Sequence, residues 1–269
     1  MSYQQVLYEV RDAVATVTLN RPERHNAWTD LMARELHDAM RVAATDRQVR
    51  VIVLAAAGKS FSVGADLDAL ANLDPESLVT KLPRPFDMRV RADYQTRCAY
   101  PAALPKPIIA MHRGATAGIA LLHALFCDVR FAAEDAFFTT AFARIGLSAE
   151  YGAAWILPRI VGHANALDML LSGRRVEARE ALRMGLVNQV HSSDHLVDAT
   201  YAYAREIAVH ASPRSTRAIK HQVWEAPFQT LAEAAGLAAA DMLEAVRSAD
   251  FQEGLAAFRE RRSPRFVGD

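Results

Sequence analysis

Glu150 is the one charge among small and apolar neighbours in GLSAEYGAAW, residues 146–155. A carboxylate in that company has two ordinary uses. It can open a helix, where the dipole favours an acid, or it can move a proton. VGAD (63–66) and TAGIA (116–120) suit a different chemistry, because Gly among small residues lets a backbone N–H approach a ligand closely. Taken singly, each is as well explained by a plain turn, since short Gly motifs are weak signals. His191 and His195 have i, i+4 spacing but no accompanying HExxH pattern, so no metal site is expected there. GxGxxG, P-loop and GxSxG motifs are absent, which argues against dinucleotide, nucleotide and serine-hydrolase chemistry.

The chain has 269 residues, about half of them apolar, which is enough for a large core. Lys plus Arg and Asp plus Glu both number 31, so bulk charge gives no case for nucleic acid or an anionic membrane. Cys98 and Cys127 are the only cysteines, and no disulfide framework or cysteine zinc site is expected. The opening MSYQQVLYEVRD shows no basic segment followed by an apolar run, and no apolar run is long enough to span a bilayer. The expectation is a cytoplasmic enzyme with no membrane partner.

These candidate groups need elements to position them. VLYEVRD and AVATVTLN alternate as a hairpin around Asp12. Thr29 can cap a helix from Asp30 to about Ala44, with Met32, Leu36 and Met40 on one face. VRVIVLAAA, KPIIAMHR and CDVRFAA read as buried strands, and GATAGIALLHALF as a short buried helix. After about Leu196 the chain is helical, with Pro213 at a helix start and Asp250 at a cap or first-turn site. The expected class is α/β, with a core over 1–195 and a helical region over 196–269. The apolar stripes of that region need cover from the core or from another subunit.

Five stretches, in order, are similar to the crotonase family, also called the enoyl-CoA hydratase/isomerase superfamily. They are LNRPERHNAW (19–28), GKSFSVGADLDAL (58–70), KPIIAMHRGATAGIALLHALFCDVRFAAEDAFF (106–138), LPRIVGHANALDMLLSGRRVEAREALRMGLVNQV (157–190) and FQEGLAAFRERRSPRF (251–266). The resemblance implies a spiral of ββα repeats, then a helical region that builds homotrimers or hexamers. It also implies a coenzyme A thioester as substrate rather than a tightly bound cofactor, with an enolate held by two backbone N–H groups. By residue matching the donors are those of Ala65 and Ile119. Two preorganised donors in a dry site lower such a barrier by about 3 kcal/mol each. Ile119 stands where relatives commonly have Gly or Ala, which narrows the space beside the acyl group.

Hydratases of the family bracket water with two glutamates. Their places here are Leu122 and Phe142, neither of which transfers a proton. His123 points about 100° away from Leu122 on a helix and reads better as a helix-face histidine with a local partner. Glu150, eight residues before Pro158, matches the catalytic carboxylate of the family's double-bond isomerases. An apolar pocket of Leu122, Phe142, Tyr151 and Trp155 would raise its pKa. Spacing alone favours a first-turn residue of the helix YGAAWILPRI; the family position favours the acid/base. The resemblance further assigns the coenzyme to Arg24, His25, Ala27, Lys59, Ser62, Gly64, Asp66 and Gly118, and to the basic RERRSPR segment. Asp87, Arg89, Arg91, Tyr94 and Arg97 are expected on a helix beside the acyl pocket, with Phe86 and Met88 lining it. Alternatives are a hydratase-like enzyme, a hydrolase or dehalogenase of ring or aryl acyl-CoA, and a non-catalytic acyl-CoA-binding protein.

Overall fold

The computed structural model describes residues 3–71 and 90–269. The hairpin pairs β1 (Val6–Arg11) with β2 (Val14–Leu19). Asp12 and Ala13 both take positive φ, 51° and 61°, as the central residues of a tight hairpin do. β2 then runs parallel to β3 (Val51–Ala56), and the sheet continues through β4 (Ile108–His112), β6 (Val129–Ala133) and β9 (Gln189–His191). A smaller sheet holds β5 (Ala115–Ala117), β7 (Phe137–Thr139) and β8 (Val176–Glu177).

Each turn of the chain visits both sheets. β4 lies in the large sheet, β5 in the small one, and α4 (Gly118–Leu125) follows. The order β6, β7, α5 (Ala153–Val161) repeats the pattern. After β3 the chain crosses to the small sheet through a Ser62–Thr116 bridge and enters α2 (Leu67–Ala71). This is the expected spiral of ββα units.

α1 (Asp30–Thr45) starts where Thr29 Oγ1 accepts from the Met32 N–H at 3.0 Å, and it buries Met32, Leu36 and Met40. The other face of the large sheet is covered by α8 (Leu196–His210). There Val51, Val53, Ile109 and Phe131 meet Leu196, Ala204 and Ala208. Strands buried on both faces explain the unbroken apolar run VIVLAA. α6 (His163–Ser172) and α7 (Ala178–Arg183) connect the last strands.

The end of the chain forms α9 (Pro213–Glu225), α10 (Leu231–Ala245) and α11 (Ala249–Glu260). Ser212, Thr230 and Ser248 cap them in turn. Asp250, in the first turn of α11, is buried and accepts from Ser212 Oγ and from the Val267 N–H, at 2.6 and 2.8 Å. α9 docks on α3 (Tyr100–Ala103) and the start of β6. α10 has no buried residue. Ile219, Val223, Leu231, Met242 and Phe258 expose apolar surface from this region. No helix among the described residues is long and apolar enough to cross a membrane.

The expected helix around Tyr94 is corrected in its described part. Only Ala92–Tyr94 coils there, as a single 3₁₀ turn. Arg91 pairs with Asp93 and Glu225, and Arg97 with Asp30. Glu225 and Asp30, drawn from distant segments, fix an irregular path. Phe86, Asp87, Met88 and Arg89 lie outside the described residues.

Candidate active site

The two Gly-bearing turns lie against each other. Ser62 N–H donates to Ala115 O, and Ala117 N–H donates back to Ser62 O, at 2.9 and 3.0 Å. A Cβ on Gly64, whose φ is 92°, would sit 3.1 Å from Ala117 O. A Cβ on Gly118, φ 51°, would sit 4.0 Å from Gly64 Cα. Both positions therefore favour Gly for conformation, and Gly64 for close approach as well. Trp28 N–H to Gly64 O and Asp66 N–H to Trp28 O stitch the first turn to the loop before α1. The N–H groups of Ala65 and Ile119 have no acceptor among the described residues. Ile119 is in the first turn of α4, where free N–H groups and the dipole favour negative charge.

Several residues assigned to the coenzyme are instead used to build this turn. Ser62 is fully buried, and its Oγ donates to Asn26 O at 2.7 Å. Asp66 is buried and pairs with Arg21 at 3.1 Å. Ala27 is buried, with its carbonyl accepting from Arg21. Arg24, His25 and Lys59 are exposed on the rim, with Arg24 paired to Asp68 at 2.8 Å. In RERRSPR, Arg262 is held by Glu253 and Glu260. That segment leads to Phe266, whose carbonyl accepts from Arg50, and no described contact joins it to Arg24 within one chain.

Glu150 is not a first-turn helix residue. α5 begins at Ala153, and the chain turns into it through Tyr151 and Gly152, with φ 46° and 82°. The Ala153 N–H donates to Glu150 O at 2.8 Å, so the backbone of Glu150 serves the helix while its side chain stays free. The half-buried carboxylate has no hydrogen bond or ion pair with any described residue. Desolvation alone raises its pKa above the ordinary carboxylate value.

Around it, Cys98 is fully buried and its thiol is pushed up to about 12, first by burial and further by the charge of Glu150. Tyr151 is likewise raised, by burial first. A cavity of about 370 Å³ opens beside the loop, walled by Tyr94, Phe126, Tyr151, Gly152, Trp155 and Phe228. Tyr151 and Trp155 thus line it as expected. Leu122 and Phe142 are buried but do not line it; Phe142 packs near Gly118 instead.

His123 differs from expectation. It is fully buried, and neither ring nitrogen has a hydrogen-bond partner. The rings of Trp28 and Tyr100 flank it at 5.4 and 5.1 Å. Burial holds its pKa down at about 3, so at neutral pH it is uncharged. His191 closes β9 and His195 precedes α8, so the two do not share a helix.

Sequence reasoning missed the C-terminal contribution to the cavity. Asp128, in the Cys-Asp-x-Arg strand, accepts from the Trp224 Nε1–H at 2.9 Å and pairs with Lys220 at 2.8 Å. This seats α9 and brings Phe228 over Trp155. The acid in CDVR was visible as a motif, but its partners lie some 90 residues away.

A spiral α/β core with two facing donor turns defines a crotonase-fold enzyme. The sequence profile of the enoyl-CoA hydratase/isomerase family matches residues 9–269, and the chain belongs to that family. It is 35% identical to a 1,2-epoxyphenylacetyl-CoA isomerase of Escherichia coli, over 98% of each chain. It is 31% identical to a trans-2-decenoyl-[acyl-carrier-protein] isomerase of Streptococcus mutans, over 100% of each. The crystal structure of an enoyl-CoA hydratase from Bacillus anthracis superposes with a TM-score of 0.90 at 27% identity, covering 99% of this chain and 100% of that one.

Proposed function

We propose that this enzyme shifts the double bond of an enoyl-CoA thioester, with Glu150 as the single acid/base. The observation that carries this reading is the state of Glu150: half-buried, unpaired among the described residues, and made more basic by desolvation. The places of the two hydratase glutamates are held by Leu122 and Phe142, both buried and apolar.

The carboxylate takes a proton from the α-carbon of a 3-enoyl thioester. The electron pair moves onto the thioester oxygen, where the N–H groups of Ala65 and Ile119 receive it. The pair then returns as the α,β double bond, and the γ-carbon takes the proton back from Glu150. Nothing is consumed. Adding water would call on a separately placed second group. Coenzyme A belongs to the substrate, and the exposed Arg24, His25 and Lys59 suit its phosphates. The exposed apolar side chains of 196–269 suit a trimer or a dimer of trimers.

Deuterium exchange at the α- and γ-carbons, followed with Glu150→Gln, tests the reading. The variant should lose turnover and exchange by roughly 10²–10⁴-fold. Wild-type turnover in Glu150→Gln on every accepted substrate would end it.

A further inference from the structure

The cavity beside the Glu150 loop has one wall of unusual build. Trp155 and Phe228 stack at 5.4 Å between centroids and 16° between planes. Arg91 lies over the outer face of this pair at Phe228, 4.0 Å from the ring centre. Arg159 lies over Trp155 at 4.1 Å. The four side chains form one column, Arg91–Phe228–Trp155–Arg159, drawn from three separate segments.

Both ends of the column are tied down. Arg91 pairs with Glu225 at 3.5 Å and with Asp93 at 3.2 Å. Arg159 donates to Trp155 O at 2.7 Å. Behind Phe228, Trp224 is held by Asp128, and Tyr94 OH donates to Trp224 O. The wall is therefore a fixed surface made partly by the chain's own C-terminal region.

Tyr94, whose hydroxyl is spent on Trp224 O, Phe126 and Tyr151 add further rings to the lining. Ala99, Thr96 and Asp93 complete it, and the Asp93 charge is paired with Arg91. Tyr151 and Gly152, the two residues that follow Glu150 in the chain, both line the cavity. At about 370 Å³ the cavity lies at the small end of ligand sites, which run from about 300 to 1,000 Å³.

We infer that this cavity takes the apolar end of the acyl group and that the Trp155–Phe228 pair is its end wall, so the column sets the longest chain accepted. The favoured ligands are thioesters whose acyl part is short to medium in length and carries no charge. Long fatty acyl groups meet the wall. The inference rests on the acyl-CoA reading above but not on the role of Glu150.

Binding of saturated straight-chain acyl-CoAs of increasing length, measured by calorimetry, tests it without any turnover. While the tail is still entering, each added methylene should tighten Kd by about four-fold. The gain should then stop at one chain length. In Phe228→Ala and Trp155→Ala that break should move to longer chains by at least two carbons, with affinity for free coenzyme A unchanged. Phe228→Leu, a smaller truncation of the same wall, should move the break to a longer chain by at least one carbon and serves if the alanine variants do not fold. Folded variants that break at the wild-type length overturn the wall. Chain-length-independent binding overturns the tail site while leaving the acyl-CoA reading intact. Failure to bind coenzyme A or any thioester would overturn both.

Discussion

Asp128 and Glu150 are two carboxylates set against apolar surroundings and equipped in opposite ways. Asp128 accepts from the Ile108 N–H at 2.7 Å and from Trp224 Nε1–H at 2.9 Å, and it pairs with the buried Lys220 at 2.8 Å. Glu150 meets no donor among the described residues. The first is framework: its charge is compensated, and it ties the C-terminal region to the start of β6. The second pays a desolvation cost with no return in stability, and its gain is basicity. Pairing, rather than burial, separates the structural acid from the one proposed to do chemistry.

The contrast can be broken by exchanging the expected effects. Glu150→Gln should carry the largest effect on turnover, about 10²–10⁴-fold. Its urea midpoint should stay unchanged or rise slightly, because a neutral side chain escapes the desolvation penalty. Asp128→Ala should do the reverse. Removing one partner of a buried pair costs about 3–5 kcal/mol, since the Lys220 charge is left without its counterion. Urea unfolding read by fluorescence checks both. A similar stability loss in the two variants would erase the distinction.

Gly64→Ala tests the donor turns against the Glu150 loop. An added Cβ at φ 92°, 3.1 Å from Ala117 O, must push the two turns apart. Turnover should fall about 10²–10³-fold, as for loss of one oxyanion donor. KM should change much less, which steady-state kinetics would show.

Near neutrality the smallest effects are those of pH, and they grow as the solution turns acid. Glu150 must be ionised to act as a base, so kcat/KM should fall with acid through a pKa above the ordinary carboxylate value. Stability should decline over a separate range. His112 and His123 are buried and held at about 3, so the unfolded chain binds protons that the folded chain refuses. Their contribution is complete above the unfolded histidine pKa of about 6.5 and is lost as pH falls toward 3. The slope is about 1.4 kcal/mol per pH unit for each histidine. His123→Phe should remove one such contribution, as thermal melts between pH 4 and 7 would show.

Much of this architecture was legible in the order of residues. Alternation marked the hairpin, continuous apolar runs marked strands buried on two faces, and Thr29 and Pro213 marked helix starts, because those signals are local. Gly64 and Gly118 were legible as turns, and Glu150 as the remaining carboxylate at a family position. The path of Arg91–Arg97 was not, because its ion pairs come from Asp30 and Glu225. Nor was the isolation of His123, whose flanking rings come from the segments of Trp28 and Tyr100.

By itself the sequence determined which groups exist: one carboxylate among apolar neighbours, two Gly-bearing turns, and a helical end with apolar stripes. Tertiary structure alone decided that the two turns face each other with free N–H groups. It also decided that Glu150 stands outside its helix without a partner among the described residues, and that Phe228 joins Tyr151 in lining one cavity. The physical reason is range. Turn geometry and periodicity act over a few residues, whereas desolvation and pairing depend on whatever the fold brings alongside.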